Sequence, residues 1–242
     1  DDAIIDHYQF IYPELIKRKL WGIFYVSTSP YENREILAVH KIQLLCGKYS
    51  GEELFKYLKS IITIDMINKI KREEFRTQTY TRQNNYEGVT DFKRLLNYFI
   101  KYEYIKYCIQ ELENKFPIEE DINNFYITEK NISEMSKNNM LIGSHSKNHK
   151  LMSRLSIKEQ NSEIEDSFTF LESICDLGLK TFCHPYGGFH SFNHNTINIL
   201  NNKNIDFSFN VESRQIVKKD FFNSIQHLPR YDCNQFLHGK AS

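Results

Sequence analysis

The chain has 242 residues, 40% of them hydrophobic and 14% aromatic, which is enough to bury a core in one large domain or two small ones and excludes a disordered chain. Its 31 basic and 31 acidic residues cancel, which removes the electrostatic case for a nucleic-acid or anionic-membrane partner. No apolar run approaches the roughly 20 residues of a transmembrane helix. The five cysteines (Cys46, Cys108, Cys175, Cys183, Cys233) form no C-x-x-C pair, which argues against a disulfide framework and for a reducing, cytoplasmic setting.

The chain opens on Asp1-Asp2 without a Met, so it is read as a fragment or trimmed chain from which any targeting segment would have been lost. Pro13 then suits the first turn of a helix, PELIKRK, where its missing N–H costs nothing. Residues 20–27, LWGIFYVS, are a continuous aromatic and β-branched run, as in a strand buried in a parallel sheet, and Ser29-Pro30 ends it.

From 31 to 125 the period changes. REILAVHKIQLL, EELFKYLKSIITIDMINKIKR and DFKRLLNYFIKYEYIKYCIQELENKF all place apolar residues at helical spacing. Gly47 and Gly51 punctuate the first two, and Asp91 is the expected N-cap of the third. His40 is read as a packed or surface histidine.

After 125, helix and strand alternate. EKNISEMSKNN reads as a helix, MLIGSHS as a strand, and SIKEQNSEIEDSFTFLESICDLG as an amphipathic helix opening at Ser156 and closing on Gly178. KTFCHPYGG reads as strand and turn, NHNTINILNNKN as a helix, IDFSFNV as a strand and SIQHLPRYD as a last strand. This alternation predicts a parallel α/β architecture, open or barrel-like. It also divides the chain into an α/β core, 1–30 with 126–242, and a helical subdomain at 31–125.

Chemistry in such sheets gathers at the C-terminal ends of strands. His145 and His149 stand at one such end, Pro185-Tyr186-Gly187-Gly188 at another, and Asp1-Asp2 at a third if a strand precedes them. Two imidazoles placed there raise a question that only a third ligand, supplied from elsewhere in the chain, can answer. A surface histidine pair, a frayed acidic terminus and an ordinary turn are the plainer readings of the same residues; His190 and His194 are read as surface residues.

Four segments, in order, resemble the polysaccharide deacetylase family, the NodB-homology carbohydrate esterases, in a subgroup associated with surface polysaccharides. They are DDAIIDHYQFIYPELIKRKLWGIFYVS, NISEMSKNNMLIGSHSKNHKLMSRLS, KTFCHPYGGFHSFNHNTINIL, and IDFSFNVESR with LPRYDCNQF. The resemblance implies a distorted (β/α) barrel with its first strand cut away and residues 31–125 as an all-helical insertion that offers a surface for self-association. It implies a hydrolase acting on carbon–nitrogen bonds other than peptide bonds, removing acetyl groups from an N- or O-acetylated sugar or polysaccharide. Asp2, His145 and His149 would hold one divalent ion, zinc in the first instance, that lowers the pKa of its water toward about 7 and polarises the acetyl carbonyl. Asp1 would be the general base, and Pro185, Tyr186 and Gly187 the substrate-binding turn that faces the oxyanion.

Two departures stand out. Cys183 occupies the position, three residues before the turn's aromatic, where the family usually has an Arg; Arg230 is the candidate substitute cation. The Leu-x-x-His motif that supplies the family's general acid is missing. His184 is a candidate acid, while His227 and His238 in the tail do not fit its spacing. These gaps leave a second reading, a catalytically inactive glycan-binding or scaffold protein of the same fold.

Overall fold

The computed structural model describes residues 1–68, 72–80, 83, 85–119 and 121–237. The chain divides into two compact units, 1–35 with 122–242, and 36–121. The first unit begins with a π-helical turn, His7–Ile11, that runs into α1 (Tyr12–Lys17) with Pro13 in its first turn. Then come β1 (Ile23–Val26) and α2 (Ser29–Asn33).

The second unit holds α3 (Ala38–Lys48), α4 (Gly51–Ile61), α5 (Arg72–Gln78), α6 (Val89–Arg94) and α7 (Tyr102–Lys115). Its core is formed by Ile42 and Leu45 of α3, Leu54 and Leu58 of α4, Phe92 of α6 and Cys108, Ile109 and Leu112 of α7, with Leu96 and Ile100 between α6 and α7. His40 is buried in this unit. The helices are shorter than their periodicity predicts. Residues 91–116 do not form one helix from an Asp91 cap. Gly88, at φ 76°, precedes α6, and a π-helical turn, Leu95–Phe99, ends at an extended Ile100. There the Phe99 carbonyl accepts from Asn68 N–H and Lys101 N–H donates to the Met66 carbonyl. Those bonds to 66–68 replace helical ones, and α7 starts afresh. The second predicted helix stops at Ile61, because Ile62 and Thr63 are extended, as β-branched residues favour; its expected continuation through 69–71 lies outside the described residues.

The chain then returns to the first unit with α8 (Ile122–Phe125), α9 (Glu129–Lys137), β2 (Leu141–Ser144), α10 (Ile157–Ile174), β3 (Thr181–Cys183), α11 (His194–Asn202), β4 (Phe207–Phe209) and α12 (Asp220–Asn223). α9, α10 and α11 start on reciprocal side-chain caps: Thr128 with Asn131, Ser156 with Glu159, and Asn193 with Thr196. Each such cap contributes typically about 1 kcal/mol. The four strands are parallel, in the order β1-β2-β3-β4, with Tyr25 opposite Gly143 and Phe182 opposite Ser208. Closure of this sheet into a barrel stays with what the resemblance implies. The segment after β4 forms a 3-10 turn, Ile225–His227, and a single bridge, Phe209 to Leu228, in place of the predicted last strand. Pro229 follows at once, and with no N–H it cannot extend the ladder.

Strands this short are held by what covers them. Ile132 and Met135 of α9 and Ile164, Phe168 and Leu171 of α10 are buried, as are Phe24, Val26, Ile142 and Phe182 of the sheet. Full burial of each such side chain stabilises by roughly 1.5–3 kcal/mol. Gly143 lies where β1, β2 and β3 crowd together: a Cβ there would stand 2.5 Å from the Tyr25 ring and 2.8 Å from the Thr181 methyl. The Tyr25 hydroxyl and Thr181 Oγ1 are hydrogen-bonded at 2.8 Å, so neither side chain yields easily. Gly143→Ala is expected to cost about 1–3 kcal/mol through overpacking, read as a lower urea midpoint with an unchanged slope. An unchanged midpoint would contradict this packing.

Candidate metal centre

β1 and β2 end side by side, with Val26 opposite Ser144, and His145 is the first residue beyond β2. Its N–H donates to the Val26 carbonyl and its own carbonyl accepts from the Ser27 hydroxyl, which ties it to the end of β1. Its ring is buried. Nδ1 lies 2.8 Å from the Cys183 carbonyl, and a carbonyl can only accept. The proton therefore sits on Nδ1, and Nε2 keeps its lone pair. Burial holds the imidazole's pKa down to about 4 despite the Asp2 carboxylate nearby, so it is neutral at pH 7. A neutral ring with one nitrogen anchored and the other bare is the form in which histidine ligates a metal.

The chain turns back after His145. Ser146 and His149 both adopt left-handed backbone, φ 62° and 53°, and His149 N–H donates to Ser146 Oγ at 3.0 Å. This brings the two imidazoles to 4.8 Å between ring centroids. The Asp2 carboxylate meets them: its Oδ1 is 3.6 Å from His145 Nε2 and 3.4 Å from His149 Nε2. Among the described residues, Asp2, His145 and His149 form one of two clusters able to hold a metal ion. For metal–ligand bonds of about 2.0–2.1 Å, tetrahedral geometry separates neighbouring donors by about 3.3–3.4 Å. The two distances at Asp2 are close to that, and the donor set, one carboxylate and two imidazole nitrogens, suits a divalent cation.

Asp1 faces Arg230, whose two terminal nitrogens each donate to a different oxygen of its carboxylate. Such a fork fixes the plane of the carboxylate as well as its place. Asp1, His145 and Cys183 form the second cluster, so the small Cys183 lies beside the base candidate while the cation comes from the far end of the sequence.

The turn after β3 is left-handed at Tyr186 and Gly187, φ 63° and 68°. The Tyr186 ring packs edge-on to His149 at 4.8 Å. Gly187 N–H donates to the His184 carbonyl and Gly188 N–H to the Tyr186 carbonyl. Pro185 has no N–H, and the Gly187 N–H is taken up within the turn. A Cβ on Gly187 would stand 2.1 Å from Val211, so this position needs glycine for space as well as for φ.

His184 does not join these residues. It is buried, stacked on Phe192 at 4.0 Å, with Nε2 donating to the Gln226 carbonyl at 2.8 Å. Burial pushes its pKa down to about 3. It is a core histidine, and the candidacy of His184 as general acid is withdrawn for that reason. His190, read from the sequence as a surface residue, is buried too, whereas His194 is exposed as expected. The His227 ring packs against Phe189 and Phe192. His238 lies outside the described residues. The sequence reading missed Glu163, a buried carboxylate of α10 that accepts from Asn148, the residue before His149. Its signal was present: a charged residue on the stripe shared by Gln160, Ile164, Ser167, Phe168 and Leu171.

Residues 104–208, less than half of the chain, match the sequence model of the polysaccharide deacetylase family. That segment is thus similar to this family. Its fold is similar to that of a Streptococcus pyogenes deacetylase, PplD, solved in complex with acetate: TM-score 0.53, 15% identity, 96% of this chain and 61% of that one. The chain thus spans less than two thirds of that protein. The BpsB deacetylase domain from Bordetella bronchiseptica aligns at TM-score 0.46 and 11% identity, over 96% of this chain and 68% of that one, a likeness too slight to argue from. No curated protein matches the chain. Among the described residues no helix is long and apolar enough to cross a membrane.

His184 supplies a pH test. An unfolded chain protonates this histidine near pH 6.5 and the folded one only near 3. Its contribution to stability is therefore complete above about pH 6.5 and falls as the pH drops toward 3, by about 1.4 kcal/mol per pH unit. Urea titrations between pH 7 and 4.5 are expected to show this fall, and a shallower one for His184→Leu. Equal slopes for the two chains would contradict a buried neutral His184.

Proposed function

We propose that the chain is a metal-dependent deacetylase that hydrolyses acetyl groups from an N- or O-acetylated sugar polymer. The observation that carries this reading is the convergence of Asp2 Oδ1, His145 Nε2 and His149 Nε2 at the C-terminal ends of β1 and β2. These three residues hold one divalent ion, zinc in the first instance. When bound, the ion supplies a Lewis acid for the acetyl carbonyl and makes water acidic near neutral pH.

The remaining roles fall to the chain's own groups. Asp1, held in plane by Arg230, accepts the proton of the attacking water. Arg230 orients Asp1, the task that the family assigns to an Arg at the position of Cys183. Tyr186 directs its N–H at the oxygen on which negative charge develops, and its ring fixes the wall of the site against His149. The loop's left-handed residues hold the donors in place before substrate arrives. Five of the ten non-glycine residues with left-handed φ among the described residues are Asp2, Ala3, Ser146, His149 and Tyr186. Such conformations cost roughly 1–3 kcal/mol each and gather at functional sites.

One observation favours the second reading, a glycan-binding protein without turnover: the histidine nearest to a general-acid candidate, His184, is locked in the core. Acetate release separates the two. The zinc-loaded chain is expected to release acetate from N- or O-acetylated sugar oligomers. Asp1→Asn should retain the ion and lose about 10²–10⁴-fold in rate, while His145→Ala should lose both ion and activity. A loaded wild type that binds acetylated oligomers and releases no acetate would leave the binding reading in its place.

A further inference from the structure

The loop that joins the two imidazoles is bonded to α10 at nearly every residue. Ser146 N–H donates to Ser144 Oγ, which is itself paired with Ser167 Oγ of α10 at 2.7 Å. Lys147 N–H donates to the Glu163 backbone carbonyl at 3.0 Å. Asn148 is held twice by one side chain: its N–H donates to Glu163 Oε2 at 2.7 Å and its Nδ2 to Glu163 Oε1 at 2.7 Å. Lys150 Nζ stands 3.7 Å from Oε1.

Glu163 faces inward on the apolar stripe of α10, and its side chain is 6% exposed. Burying a carboxylate is costly unless hydrogen bonds compensate. Packing alone would be met at this position by a leucine. What the carboxylate adds is a pair of acceptors spaced to grip the backbone and the side chain of one residue, and that residue immediately precedes the left-handed His149. The grip adds to the Ser146 Oγ bond in holding His149 at φ 53° against the ordinary right-handed and extended regions.

We infer that Glu163 is a positioning residue for the metal centre: by clamping Asn148 it sets the backbone of His149 so that Nε2 meets Asp2 and His145. The inference rests on the centre proposed above. It assigns to α10 the part of a template, with Ser167 steadying the His145 end of the loop and Glu163 the His149 end. Groups behind the ligands that fix their orientation typically change metal affinity by about 10–100-fold when removed.

The test is a titration of the metal-free chain with CoCl2, followed by visible absorption, at a temperature where each variant is folded by circular dichroism. Glu163→Ala is expected to bind Co2+ about 10–100-fold more weakly, with a shifted d–d band. Glu163→Gln keeps one acceptor for Asn148 N–H, and its amide meets the Asn148 side chain once that group turns over, so it is expected to stay close to the wild type in affinity and band. Asn148→Ala, which removes one of the two bonds, is expected to weaken binding in the same direction and decides the matter should Glu163→Ala fail to fold. Wild-type affinity and an unshifted band in Glu163→Ala, or in Asn148→Ala where that variant decides, overturn the inference while leaving the centre standing. A wild type that takes up no Co2+ removes the centre, and the inference with it.

Discussion

The two imidazoles, four residues apart and on no helix, face one carboxylate because the loop between them turns back at Ser146 and His149. That constraint governs the rest of the first unit. The reversal uses left-handed backbone at Ser146 and His149, which side-chain-bearing residues resist. The cost is offset locally: His149 N–H is accepted by Ser146 Oγ, Ser29 N–H reaches the Lys147 carbonyl from α2, and Asn148 is gripped by Glu163. A loop satisfied in this way from both flanks is rigid before any ligand arrives, which is what a preorganised site requires.

The sheet supplies the other half of the arrangement. Parallel strands deliver their C-terminal ends to one edge, so residues distant in sequence arrive together there: His145 after β2, Cys183 at the end of β3 and Tyr186 just beyond it. Asp1 and Asp2 are held near that edge by a short antiparallel pairing in which Ile5 N–H reaches the Phe125 carbonyl and Ile127 N–H the Ala3 carbonyl. Arg230 comes from the segment after the single bridge at Leu228. The cation opposite Asp1 thus enters from the chain's far end while β3 presents a small thiol. A centre of this kind tolerates such an exchange because a bidentate fork depends on where the guanidinium lies and not on which strand carries it.

Much of this was legible in the sequence. The apolar runs at 20–27 and 140–144 are strands because a buried parallel strand needs apolar residues on both faces, and Ser156 with Glu159 announced the start of α10 through a reciprocal cap. The histidine pair was visible because its surroundings, a strand and then small polar residues, had no other evident purpose. What escaped reading was decided by tertiary contact. Periodicity predicted one long helix across 91–116, but backbone bonds from 66–68 claim its middle. His184 was read as a candidate acid and His190 as a surface residue, whereas stacking on Phe192 and packing beneath the Gly188 turn bury them. Glu163 drew no attention because one charged residue on an amphipathic helix is usually a solvated one, and only its partner across the loop reveals its purpose.

The central claim is that Asp2, His145 and His149 bind one ion together. X-ray absorption at the zinc edge of the zinc-loaded chain, compared with His149→Ala, tests it most directly. The account predicts nitrogen and oxygen neighbours at about 2.0–2.1 Å with outer-shell scattering from two imidazoles, reduced to one in the variant. A zinc ion with no imidazole scattering, or with the same two imidazoles in His149→Ala, would contradict it.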